Sequence, residues 1–367
     1  MKRRTFASLI FAAASLPFTY TVDAQVIITP GGGQVVAPAI STDQSVAQAA
    51  IVSQAPPAGF NAVMASDTLL AQFGYPPRPA LASADYQQWL KLVSPTITRM
   101  APMLQQTNIS NGPPSGLSNT ITGVANSLAT TSTNWSGFAQ TSAAGTFKHN
   151  GDWVFGEWMV PKAQQAFGVC DGTWWYSSQW VGFDGYGSSD VLQAGTEADA
   201  YCSGGVTTTF YSAWYEWYPF NEVRISLPVS GGDLMGGEVW YTTTAPYGHA
   251  YLVDYTNQHS ISINFNPPAG TVYQGNSVEW VVERPGVNGS LANLTNYVAD
   301  AWNYAYGYGG GAYYYANAAT AGATNYSISM TCPPWKPSTS CTTKTTLSSG
   351  YAYGPYTLWF YNSGPSF

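Results

Sequence analysis

Charge is scarce in this sequence: 8% of its 367 residues are Asp, Glu, Lys or Arg, and only 12 of these are basic. Three of the bases, Lys2, Arg3 and Arg4, sit at the very start. From Asn134 onward six bases (Lys148, Lys162, Arg224, Arg284, Lys336, Lys344) face fifteen acids. No basic stripe is left to neutralise phosphates, which excludes nucleic-acid binding as a main role. Long apolar runs are missing as well. The run from about Phe6 to Phe18 falls short of the ~20 residues a membrane-spanning helix needs, and no later segment does better. Cysteine is limited to four residues and histidine to three. There is no CxxC pair and no HExxH, and His149, His249 and His259 lack ligand spacing, so neither metal nor cofactor is expected. Also absent are a GxSxG elbow, a cysteine in a nucleophile context, and the paired Asp-Thr/Ser-Gly motifs of aspartic proteases.

What remains is rich in aromatics, at 15% of the chain, enough to offset the ordering entropy of a large core. The low cation count has a second meaning. Once its carboxylates protonate, the region after Asn134 carries only six Lys/Arg and three His, so little repulsion builds up in acid. An acidic working medium is therefore expected.

Residues 1–24 read as a secretory signal. Lys2-Arg3-Arg4 precedes the apolar run, and Val22-Asp23-Ala24 offers a cleavage site before Gln25, so export to the extracellular space or periplasm is expected. The cysteines fit that oxidising setting. Cys332 and Cys341 bracket a Pro-rich loop and are paired here, leaving Cys170 with Cys202, although four cysteines permit three pairings.

Residues 25–130 are rich in Ala, Pro, Gln and Ser and show helical signals. Ser66-Asp67 opens a run that stops at Gly74. Ser83 caps Ala84–Val93, with Trp89, Leu90 and Val93 on one face. Ser94-Pro95 starts a third stretch, Thr96–Gln106, in the order of an N-cap and a first-turn proline. Thr107–Thr133, full of Asn, Gly, Ser and Thr, reads as a linker. From residue 131 to 367 the pattern changes to short alternating strands: Gly151–Val160, Ser178–Phe183, Thr207–Tyr218, Val223–Leu227, Gly237–Thr243, His259–Phe265, Ser277–Glu283 and Tyr356–Tyr361. Many strands without intervening helices imply an all-β sandwich or barrel. A helical leader and linker before such a body suggest a zymogen with a pro-region.

Three groups carry candidate chemistry. In Ala213–Pro219, Trp214, Glu216 and Tyr218 share one strand face, a carboxylate between aromatics suited to a cleft floor. In Ser277–Pro285, Glu279 and Glu283 share a face with Val281. A carboxylate near apolar neighbours has its pKa raised and can carry protons in acid. In Gln179–Gly185 and Val191–Gly195, Gln193 is an amide in an apolar strand, able to donate to an oxyanion. On pattern alone, a buried structural amide explains Gln193 as readily.

Taken together, Asn134-Trp135-Ser136-Gly137, Trp158-Met159-Val160-Pro161, Trp180–Gly185, Leu192–Gly195, Trp214–Pro219 and Val278–Glu283 resemble, in order, the pieces of the glutamic peptidases, or eqolisins. The match covers Asn134 to Pro285, and the bacterial-style signal suggests a branch away from the fungal members. The resemblance implies a lectin-like sandwich of two antiparallel sheets, a pro-region removed on activation, and acid endopeptidase activity on proteins or peptides. It further implies a Gln193/Glu283 dyad, with Trp180, Asp184, Trp214, Glu216 and Tyr218 in the cleft and Glu197 where the family places an Asp. The expected molecule is a monomer inhibited by its own pro-region and free of membrane after signal removal. Gly286–Phe367, with its Tyr304–Gly309 stretch, has no counterpart in the match and reads as a loop insertion or surface decoration. A sandwich glycoside hydrolase using two carboxylates and a carbohydrate-binding protein are the alternatives.

Overall fold

The computed structural model describes residues 26–28, 34–119, 127–332 and 346–362. The expected signal at 1–24 and Cys341 lie outside them. One layer of the body holds, in spatial order, Val206–Tyr218, Val191–Ser203, Ser178–Phe183, Ser277–Glu283 and Trp135–Thr141, every neighbouring pair antiparallel. The second layer holds Ala299–Gly309, Asp152–Met159, Leu234–Tyr241, Gly248–Asp254 and His259–Phe265 in the same sense. Thr324–Thr331, Thr346–Ala352 and Leu358–Asn362 carry the hydrogen bonding from one layer to the other. The molecule is an all-β sandwich of two antiparallel sheets.

Successive side chains of a strand point to opposite faces. Between the layers, Val181, Leu192, Ala194, Trp280 and Val282 therefore meet Val154, Met235, Val239, Leu252 and Ile261 in one core. The alternate residues, Trp180, Gln193, Glu216, Glu279 and Glu283, face the other side of the first layer. That face holds a smaller buried cluster of Trp135, Trp180, Trp214, Val281 and Ile328. Glycine permits this double burial at Gly195, where a Cβ would overlap the Gln179 carbonyl and come within 2.7 Å of the Trp180 Cβ. Gly195→Ala should cost about 3 kcal/mol, read as a lower urea midpoint with an unchanged m-value.

The Cys170–Cys202 disulfide forms as expected, and Cys332 is also disulfide-bonded. Strands Ser178–Phe183, His259–Phe265 and Ser277–Glu283 match the sequence reading to the residue. Three expectations are corrected. The Tyr/Gly-rich stretch is not decoration: Ala299–Gly309 is the first strand of the second layer, hydrogen-bonded to Asp152–Met159 on one side and to Ala312–Tyr315 and Leu358–Asn362 on the other. Gly307 is required there, because a Cβ would lie 2.8 Å from the Trp153 carbonyl oxygen.

The N-terminal segment is a mixture of short helices and strands rather than mostly helical. Asp67–Gln72 is a helix capped by Ser66, whose side chain accepts from the Leu69 N–H, and Tyr86–Leu92 is another. Thr96–Gln106 does not become the third. Thr98–Arg99 pairs in parallel with His259–Ser260, and Leu104–Gln106 pairs with Val223–Ile225. Two open sheet edges supply hydrogen bonds that outweigh a local capping signal, and Pro102 interrupts any helix between them. The stretch 107–119 is no loose linker either, since Thr107, Ile109 and Asn111 are fully buried. The segment clasps both layers. Leu70, Trp89 and Leu92 pack on Trp153, Phe155, Trp240 and Tyr251 of the second layer's outer face. Residues 104–116 then cross to the opposite face of the molecule.

Candidate active site

Register brings the candidate residues onto one face. Gln193 stands opposite Glu216 on one neighbouring strand and Gly182 on the other. Ser178 stands opposite both Glu197 and Glu283, and Glu283 opposite Trp135. Gly182 leaves room for its neighbours: a Cβ would lie 2.9 Å from that of Gln193. All of these side chains are buried.

Glu283 accepts two hydrogen bonds, from the Trp180 indole N–H to Oε2 at 3.0 Å and from Asn134 Nδ2 to Oε1 at 3.0 Å. Trp135 meets Trp180 edge-on, ring centres 5.0 Å apart, so a wall of indoles fixes the carboxylate's orientation. Burial pushes the Glu283 carboxyl well above its ordinary pKa, against the pull of the Asn134 and Trp180 hydrogen bonds. Glu216 is likewise raised by burial, with the charges of Glu222 and Glu283 adding to the effect. A carboxyl so placed holds its proton in acid and can pass it on.

No direct hydrogen bond joins Gln193 to Glu283. Both are instead spanned by the N-terminal segment. Gln193 Nε2 donates to the Asn111 carbonyl at 2.5 Å and lies 3.5 Å from Glu216 Oε2. These two acceptors orient the amide with its nitrogen toward the segment. Glu216 Oε2 also accepts the Asn111 N–H at 2.9 Å. Asn134 Nδ2, bonded to Glu283, also donates to the Pro113 carbonyl at 3.2 Å, and the Trp135 indole donates to the Gly112 carbonyl at 2.9 Å.

The other expected cleft residues divide. Trp214 lies on the site face, fully buried, with its indole N–H unpartnered. Tyr218 is half-buried and packs against Gly112, where a Cβ would stand 2.9 Å from its ring. Glu197 lies deeper, beside Asp199; burial raises both, Asp199 to about 8. Asp184 is not in contact with the pair. Its carboxylate accepts the backbone N–H groups of Gln274, Gly275 and Asn276 at 2.6–3.0 Å and so fastens the loop leading into Ser277–Glu283. The sequence reading passed over three residues. Asn134 lies in the Asn134–Gly137 motif, which by itself gives it no role. Asn111, and Glu222, whose Oε2 lies 3.4 Å from Asn111 Nδ2, carried no signal in spacing or pattern. Among the described residues no cluster of His, Cys, Asp and Glu could hold a metal ion.

The peptidase A4 family model matches residues 133–349. No curated protein matches the chain. Among solved structures, scytalido-glutamic peptidase bound to a peptide-based transition-state analogue is 21% identical. The alignment covers 63% of this chain and 98% of that one, with a TM-score of 0.47. SCP-B, an eqolisin in complex with the tripeptide Ala-Ile-His, is 20% identical over 63% and 98% of the two chains, TM-score 0.46. The aspergilloglutamic peptidase of Aspergillus niger is 23% identical over 51% and 99%, TM-score 0.39.

Proposed function

Because the chain belongs to the peptidase A4 family and is a glutamic endopeptidase, we propose that it is secreted, works in acid, and hydrolyses protein substrates through Gln193 and Glu283. One observation carries the reading: the Gln193 amide donates to the Asn111 backbone carbonyl, and two residues on the chain is held by Asn134, the amide that also bonds Glu283. That is the contact an oxyanion donor makes with a substrate. Glu283, when ionised, takes a proton from the attacking water. Gln193 Nε2 stabilises the negative charge that develops on the carbonyl oxygen. The protonated Glu283 then gives its proton to the departing amine. No covalent intermediate on the protein is needed. Glu216 is a positioning residue, because its carboxylate keeps the Gln193 nitrogen turned toward the carbonyl.

The N-terminal segment is read as an inhibitory pro-region, since it covers the two side chains that would act. While it is in place Glu283 is 1% exposed, and burial keeps its carboxyl raised, so in acid only a small ionised fraction is free to act as a base, enough for a slow single turnover. Departure of the segment lets water reach it, lowers the desolvation that raised it, and enlarges the ionised fraction at acidic pH. The test is digestion of an unfolded protein from pH 2 to 7 by acid-treated protein, with pepstatin and a chelator present. Cleavage that peaks in acid and survives both additives is expected. A folded protein, freed of its N-terminal segment, that cleaves nothing across this range would sink the proposal.

A further inference from the structure

The stretch from Thr107 to Ser115 is anchored on both sides of a single peptide bond. Upstream, Ile109 and Ser110 pair as an antiparallel strand with Gly286 and Val287, and the Ile109 carbonyl accepts the Glu222 N–H at 2.9 Å. At Asn111 the N–H is held by Glu216 and the carbonyl by the Gln193 amide. Downstream, the Gly112 and Pro113 carbonyls are held by Trp135 and Asn134, the latter the same amide that bonds Glu283. A segment that merely plugged a cleft would need no main-chain bond at every step. Here the chain is laid out as a substrate would be, with the candidate oxyanion donor on one carbonyl and the candidate base beside the residues that follow.

We propose that Asn111–Gly112 is the bond at which the enzyme cuts its own chain, in cis, to release the N-terminal segment. This rests on the peptidase reading given above. The side chains fit the assignment. Asn111 is fully buried with its amide 3.4 Å from Glu222 Oε2, so the pocket on the acyl side of the bond is polar and based on Glu222. On the amine side, the Tyr218 ring stands where a Cβ on Gly112 would go, so the position takes glycine and resists larger residues. Pro113 and Pro114 follow, and neither has an N–H that would need a partner in the site.

The step balances as a hydrolysis. A water oxygen bonds to the Asn111 carbonyl carbon while one water proton passes to Glu283, and Gln193 holds the charge on the carbonyl oxygen. The carbon–nitrogen bond then breaks with its electron pair going to the Gly112 nitrogen, which takes the proton from Glu283. Asn111 ends as a carboxylic acid and Gly112 as an amine, with Glu283 restored. Glu222 and Tyr218 become specificity-determining residues for substrates as well, favouring an amide side chain before the cut and a small residue after it.

The experiment acidifies purified full-length protein and follows the intact masses of its products from the earliest times, with an unfolded protein substrate added. A first product pair ending at Asn111 and beginning at Gly112 is expected. Its half-time should be constant over a hundredfold dilution, and the pair should be absent in Glu283→Gln. In Gly112→Val the cut should slow at least tenfold while the purified protein still melts cooperatively. A first cut elsewhere in the chain overturns the proposal, as does a half-time that lengthens on dilution. If the added substrate is cleaved through Glu283 while the first self-cut lies elsewhere, this proposal falls and the peptidase reading stands. If neither is cleaved, both fall.

Discussion

Glu283→Gln should lower cleavage of a protein substrate by about a thousandfold or more, since a positioned base that also returns the proton is worth ~10²–10⁴ alone. The change keeps the side-chain length and an oxygen that can accept from the Trp180 indole, so the fold should survive it. Under the proposed mechanism, what is lost is the ability to take a proton from water and deliver it to the leaving amine. Gln193→Ala removes the amide that meets the carbonyl and should cost ~10²–10³ in kcat. Its KM should change little, because the donor matters most once charge has developed on the oxygen. The two variants separate the roles. Steady-state kinetics at the acid optimum, beside a melting curve for each protein, provide the check. Retention of more than a tenth of wild-type turnover by Glu283→Gln would remove it from the mechanism.

The intact chain should melt higher in acid than at neutral pH, the reverse of ordinary globular behaviour. Many carboxyls here are raised by burial, among them Asp190 to about 7 and Asp199 to about 8, with Glu197, Glu216, Glu222 and Glu279 pushed well up. A carboxyl whose pKa is higher folded than unfolded binds more protons in the folded state, so stability falls as pH rises between the two values. Unfolded carboxyls titrate near ~4. The advantage is therefore complete below about pH 4 and lost progressively as the pH climbs to about 8, where Asp199 titrates. The carboxyls held low, Asp43 and Asp171, are exposed and weigh little against this. A tenfold preference for the protonated form is worth ~1.4 kcal/mol per group, so two such groups shift Tm by roughly 5 °C or more. Calorimetry on Glu283→Gln, which should keep the chain uncut, tests this at pH 4 and pH 8. A higher Tm at pH 8 would contradict it.

The fold was legible where local pattern and tertiary context agree. Ser178–Phe183 and Ser277–Glu283 could be read to the residue because their alternation separates a core face from a site face. Polar punctuation at Asp184, Asn276 and Pro285 marks where strands or their flanking turns stop. Tyr304–Gly309 was not legible, because alternating Tyr and Gly resembles loop composition. Only the approach of Trp153 explains Gly307. Thr96–Gln106 carried a helix-start signal, and sheet edges far away in sequence overruled it. At the site, Gln193 was ambiguous by pattern. The glycosidase and lectin readings stayed open until family membership closed them. Asn111 could not be found at all, since its contacts with Glu216 and Gln193 are made by main-chain atoms that any residue would supply, and its side-chain partner Glu222 lies far away in sequence.

The three edges on which the N-terminal segment lies, along Val223–Ile225, His259–Phe265 and Gly286–Val287, are main-chain contacts that cutting a single bond would not undo. If the segment is the proposed inhibitory pro-region, then while the chain is whole it competes for the site at the effective concentration set by its tether, millimolar or higher. After a cut it becomes a separate molecule bound by strand pairing, a few helical side chains and the Lys91–Glu157 ion pair. Its hold then depends on dosage. Crowded molecules remain occupied and diluted ones shed the fragment, so spreading into a larger volume would act as a timer for activity, set by the number of molecules released and the space they enter.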